Sequence, residues 1–65
     1  MNWDRIEGKW TEFKGHVKDK WGKLTDDDLT EIGGKRDVLL GKIQNRYGIA
    51  KDKAEAELSD FERQY

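Results

Sequence analysis

Four carboxylates crowd a short stretch, Asp26, Asp27, Asp28 and Glu31. Oxygen-rich clusters of this kind hold hard cations. This one lacks the alternating ligands and central glycine of a calcium loop, and it follows directly on Thr25. A Thr hydroxyl caps free backbone N–H groups, and carboxylates in the first turn sit on the positive end of the helix dipole. Capping therefore accounts for every acid in the cluster, and no metal ligand is assigned. His16 is the only histidine and has no cysteine or second histidine with which to share a metal. It falls off the apolar stripe described below, so a solvated side chain is expected. Ser59, the sole serine, lies in an acidic stretch with no base nearby in sequence. With no cysteine and no glycine-rich phosphate loop, neither nucleophilic nor phosphoryl chemistry has a supporting pattern. The chain is expected not to be an enzyme and to hold no cofactor.

Binding readings start from glycines and from basic residues. Gly8, Gly15 and Gly41 fall inside predicted helices, where each costs ~1 kcal/mol relative to Ala. Such residues either admit a close approach from another helix or simply soften their own. Alternatively they form a contact face for a second chain, or keep folding conditional. These three are the candidate site residues. Trp3, Trp10 and Trp21 interleave with Lys9, Lys14, Lys18 and Lys20, as on a membrane-surface helix. Aromatics at helical spacing are more simply a core, which is the reading taken. The run Tyr47-Gly48-Ile49-Ala50-Lys51-Asp52-Lys53-Ala54 has the look of a helix-hairpin-helix turn that offers backbone N–H groups to a nucleic-acid phosphate. Lys35, Arg36, Lys42 and Arg46 add positive charge nearby. Ala50 stands where that motif prefers a second glycine, and a plain helix cap explains the same residues. Nucleic-acid binding through 47–54 is kept only as a weak alternative.

Helices must position all of these. Trp3, Ile6, Trp10, Phe13, Val17 and Trp21 step by 3, 4, 3, 4 and 4, which predicts one amphipathic helix over about 3–21. Gly22 is placed to end it in a left-handed cap. A short second helix runs from the Thr25 cap to the Gly33–Gly34 pair and buries Leu29 and Ile32. Val38, Leu39, Ile43 and Tyr47 mark a third helix over about 35–47, stopped by Gly48. Ala50, Ala54, Leu58, Phe61 and Tyr65 mark a fourth. No segment alternates as a strand does. The expected fold is all-α, a four-helix bundle of two related hairpins. Its core is Trp10, Phe13, Val17, Trp21, Leu29, Ile32, Leu39, Ile43, Tyr47, Leu58 and Phe61.

The second half echoes the first at an offset of 26 residues: Gly8, Gly15 and Gly22 align with Gly34, Gly41 and Gly48. Phe13 aligns with Leu39, Val17 with Ile43, Lys20 with Arg46 and Trp21 with Tyr47. An internal repeat of about 8–28 and 34–54 within a single domain, 1–65, is expected. Charge follows the same plan. Residues 1–24 carry six bases against four acids, and 25–34 carry four acids alone. Residues 35–53 carry six bases against two acids, and 54–65 carry four acids against one base. At 65 residues, with 42% charged and a net charge of −1, the chain reads as folded by a small margin. No stretch is apolar enough to span a membrane. Met1 to Lys9 has no apolar run, so no secretory signal is expected.

Several of these runs resemble the CsbD-like family of small bacterial general stress proteins. They are Gly8-Lys9-Trp10, Phe13-Lys14-Gly15, Trp21-Gly22-Lys23-Leu24-Thr25-Asp26-Asp27-Asp28, Gly34-Lys35-Arg36-Asp37, Leu40-Gly41-Lys42-Ile43-Gln44 and Arg46-Tyr47-Gly48. The resemblance covers nearly the whole chain. It implies two packed hairpins, a cytoplasmic location and induction under starvation, osmotic challenge or desiccation. It brings no catalytic or binding residues to carry over. The expected function is therefore a non-enzymatic stress protein, acting as a solvating protectant or a conditional interaction module. The alternative is a protein- or self-binding module on the glycine-lined faces, whose partner the sequence does not name.

Overall fold

The computed structural model describes residues 3–65, and every regular element in them is helical. There are five helices rather than four: α1 (Trp3–Gly8), α2 (Trp10–Lys20), α3 (Asp26–Ile32), α4 (Arg36–Tyr47) and α5 (Lys51–Gln64). Helix α4 packs against both α3 and α5, while α1 packs on α2.

The extra helix comes from a break at Lys9, where the backbone turns to φ −120° and ψ 36°. The apolar stripe runs through this point without interruption, so local preference favours one helix over 3–21. Packing decides otherwise. Ile6 is wholly buried, the Trp3 ring stacks on Phe61, and the Glu7 backbone lies hard against Gly34. Meeting those three contacts requires α1 to leave the axis of α2. The break is mild, because the Lys9 N–H still donates to the Arg5 carbonyl at 3.1 Å and its own carbonyl accepts from Glu12 and Phe13.

Helix ends follow the sequence in two cases and depart from it in one. Gly33 and Gly48 end α3 and α4 in the left-handed region, at φ 54° and 63°, which glycine adopts without the clash a Cβ brings. Gly22 does not. Helix α2 ends one residue earlier, on Trp21 at φ −121°. Trp21 is buried, with its indole N–H donating to Glu57 at 2.8 Å, so the chain leaves the helix at the anchored ring. The Lys18 ammonium closes the turn by donating to the Leu24 carbonyl.

The core contains nine of the expected residues, Phe13, Val17, Trp21, Leu29, Ile32, Leu39, Ile43, Leu58 and Phe61, and adds Ile6, Leu24, Leu40 and Ala54. Trp10 and Tyr47 are only half-buried, because each keeps a polar tip engaged at the rim. The Trp10 indole donates to the Leu29 carbonyl at 3.0 Å, and the Tyr47 hydroxyl accepts from the Lys23 N–H at 3.2 Å. Ala50 is exposed before α5, and Tyr65 lies past its end with its ring beside His16 and Phe61.

Candidate functional site

The three candidate glycines all lie on exposed surface, Gly8 at the end of α1, Gly15 within α2 and Gly41 within α4. Among the described residues, a Cβ placed on any of them would meet no atom within 4 Å beyond its chain neighbours and its own helix backbone. Close approach by another helix of this chain is therefore not their purpose. Gly15 forms part of a cleft of about 380 Å³ between α2 and α3, with Lys14, Lys18, Asp26, Leu29 and Thr30. A second cleft, about 550 Å³, is lined by Glu7, Lys35, Arg36, Asp37, Leu40, Lys51 and Glu55, beside Gly8 and Gly41 in sequence but not including them. The structure does not gather the three glycines into one lining.

The glycine that does admit a neighbour is Gly34, which the spacing had offered only as a helix stop. It is buried, at φ 90°, and a Cβ there would sit 2.6 Å from the Glu7 Cα. Both the conformation and the contact demand glycine.

The best-built polar cluster surrounds Asp28. Thr25 and Asp28 form a reciprocal capping box, each side chain taking the other's backbone N–H at 3.0 Å. Such a box satisfies two of the free donors at a helix start. Arg46, in the last turn of α4, then reaches across to the same carboxylate. Its Nε donates to Oδ2 at 2.8 Å and its Nη2 to Oδ1 at 2.9 Å. This is the two-pronged geometry that makes an Arg–carboxylate pair strong. Lys42 approaches Oδ1 at 3.5 Å and also donates to Glu31. Asp28 is only 2% exposed, so its charge is tolerable only because it is paired and hydrogen-bonded. The Arg46 guanidinium first, and the Thr25 N–H second, hold its carboxyl far below the usual carboxylate range against the opposing effect of burial. Glu31 and Asp28 raise the Lys42 ammonium in turn, and Asp28 raises Arg46.

This changes the reading of the acidic run. Asp26 and Asp27 are exposed in the first turn of α3, where capping and the helix dipole account for them. Asp28 does more than cap, because it ties α3 to α4. Sequence spacing alone missed the Asp28–Arg46 pair, since its members stand 18 residues apart. The one available signal was charge, an acidic short helix followed by a basic long one. Around the turn at 47–54, Gly48 is left-handed and Ala50 opens α5 without a side-chain cap. The four cations counted toward a nucleic-acid surface are each engaged with acids of this chain. Lys35 faces Glu7, Arg36 faces Glu55 and Glu62, and Lys42 and Arg46 face Glu31 and Asp28.

The fold and this network define a small all-helical protein whose most elaborate polar cluster is structural. Among the described residues, no helix is long and apolar enough to cross a membrane. Comparison with known proteins narrows the class. The model of the family described as CsbD-like matches residues 4–56. The chain is 63% identical over 62 residues to the UPF0337 protein YjbJ of Escherichia coli K12, covering 95% of this chain and 90% of the relative. It is 60% identical over 62 residues to the UPF0337 protein pc0632 of Protochlamydia amoebophila, covering 95% and 94%. It is also 61% identical to the YjbJ protein of Salmonella typhimurium, covering 95% and 89%. This chain belongs to the CsbD-like family of general stress proteins.

Proposed function

We propose that the protein is a non-enzymatic, cytoplasmic stress protein that acts as a solvating protectant and is folded by a narrow margin. The observation that carries this is the open space around Gly8, Gly15 and Gly41. Gly15 and Gly41 weaken helices α2 and α4 without any packing gain, by ~1 kcal/mol each. A core supplying only ~3–5 kcal/mol feels such losses. The chain is densely charged and nearly neutral, 13 bases against 14 acids, and most of these side chains are exposed, which keeps neighbouring macromolecules hydrated and apart. The two-hairpin repeat is part of this reading: α4 begins 26 residues after α2, and α5 begins 25 after α3. Duplication is a simple route from a short charged hairpin to a minimal core. The test is recovery of a labile enzyme after drying and rehydration. Recovery above that given by an equal mass of albumin is expected, and recovery no better than albumin would end the proposal.

The cleft at Gly15 favours a second reading, an interaction module that takes a partner's side chain between α2 and α3. Lys14, Lys18 and Asp26 at its rim and Leu29 within it suit a mixed polar and apolar contact. Filling the cleft with Gly15→Leu should abolish capture of a partner from stressed cells. Undiminished capture would set that reading aside.

A further inference from the structure

The conflict at Lys9 between local sequence and packing has a second solution. Trp3, Ile6, Trp10, Phe13 and Val17 step by 3, 4, 3 and 4, the spacing of a continuous coiled-coil seam. Nothing in residues 3–20 is a proline, and Lys is a good helix former. Yet the seam is cut at one residue, Lys9, whose φ −120° and ψ 36° lie far from the helical values of about −63° and −42°. The α-type bond from the Lys9 N–H to Arg5 is already present. Rotation about one residue therefore converts the kinked α1–α2 pair into a single straight helix.

Straightening lifts α1 off its own core, and the site it leaves is specific. It consists of the Phe61 ring that stacks Trp3 at 6.3 Å, the pocket that buries Ile6, the bare Gly34 backbone under Glu7, and Lys35, 3.8 Å from the Glu7 carboxylate. Few segments match a stacked ring, a buried branched aliphatic, a close backbone approach and a counter-charge in that order. The α1 of a second copy does so by construction. We propose that two copies of this chain exchange α1, each docking residues 3–8 on the other's Phe61–Gly34–Lys35 site with residues 3–20 straight. The exchange keeps every docking contact and adds helical continuity at Lys9 in both chains, at the cost of association entropy. The monomer holds at low concentration and the exchanged dimer forms at high concentration.

Warming the protein at millimolar concentration, cooling it and sedimenting it should give a dimer fraction that rises with concentration. Lys9→Gly disfavours the straight helix about threefold per hinge, so it should weaken the dimer about tenfold. Route and stoichiometry are separated by cross-linking. Glu7→Cys and Lys35→Cys alter exposed residues of a chain with no other thiol. When the two variants are mixed, warmed and treated with a short bis-maleimide, a mixed-chain adduct should exceed that from an Asp19→Cys and Lys35→Cys control. A chain that stays monomeric at every concentration overturns the proposal. So does a dimer indifferent to Lys9→Gly, or a mixed adduct no greater than the control.

Discussion

Asp28 shows how much a single side chain can join. Its carboxylate caps its own helix through Thr25, takes both prongs of Arg46 and neighbours Lys42. Removing one partner of a paired, buried charge leaves the other uncompensated. Thr25→Ala loses only the cap, about 1 kcal/mol. Asp28→Ala loses the carboxylate's half of the capping box and the Arg46 pair together, so it should lower the melting temperature clearly more than Thr25→Ala. Acid titration carries the same signature. Because the folded carboxyl is held below its ordinary 3.8, its contribution is complete above that value and fades as pH falls below it. Asp28→Asn should flatten the acid limb of a plot of stability against pH, which chemical denaturation at pH 2–7 would record. Gly34 supplies the other residue-scale prediction. With φ 90° and only 2.6 Å between a Cβ and the Glu7 Cα, Gly34→Ala should destabilise by at least about 1 kcal/mol. Denaturant melts would register it, and a neutral result would mean that α1 does not sit where it is described.

At the scale of elements, the sequence carried the ends better than the bends. Thr25 and the three aspartates marked the start of α3, and Gly33 and Gly48 marked stops, because caps are local and their chemistry is written in adjacent residues. The 3-and-4 spacing of apolar residues likewise identified the helical segments and nine of the thirteen buried hydrophobic residues. The kink at Lys9 was hidden, since no breaker stands there and its cause, the seating of Ile6, Trp3 and Glu7 on distant residues, is tertiary. Gly22 misled for a related reason. A glycine after a stripe resembles a cap, but the Trp21–Glu57 bond pulls the chain out of α2 one residue sooner. That bond supports a further expectation. Glu57→Leu leaves the indole N–H of Trp21 without its partner in a buried setting, a loss of ~1–3 kcal/mol. Thermal melts followed by Trp fluorescence should show it, and an unchanged midpoint would speak against the bond.

Across the whole molecule, charge was legible as alternating basic and acidic blocks, but its use was not. Block totals do not reveal that Arg46 and Lys42 close on Asp28 and Glu31 while Arg36 closes on Glu55 and Glu62. Those pairs depend on which helix faces which. Function was legible to the level of the family and no further, because the best-built polar cluster, around Asp28, joins helices and names no reaction. What distinguishes the molecule is a small core combined with glycines that face open space in α2 and α4. On the proposed reading these glycines keep the fold soft, and thermal unfolding of the Gly15→Ala, Gly41→Ala double variant measures that softness. With room for both methyl groups, the variant should gain ~1–2 kcal/mol, a rise of roughly 4–8 °C per kcal/mol for a domain of this size. An unchanged or lowered melting temperature would mean that these glycines do not soften the fold.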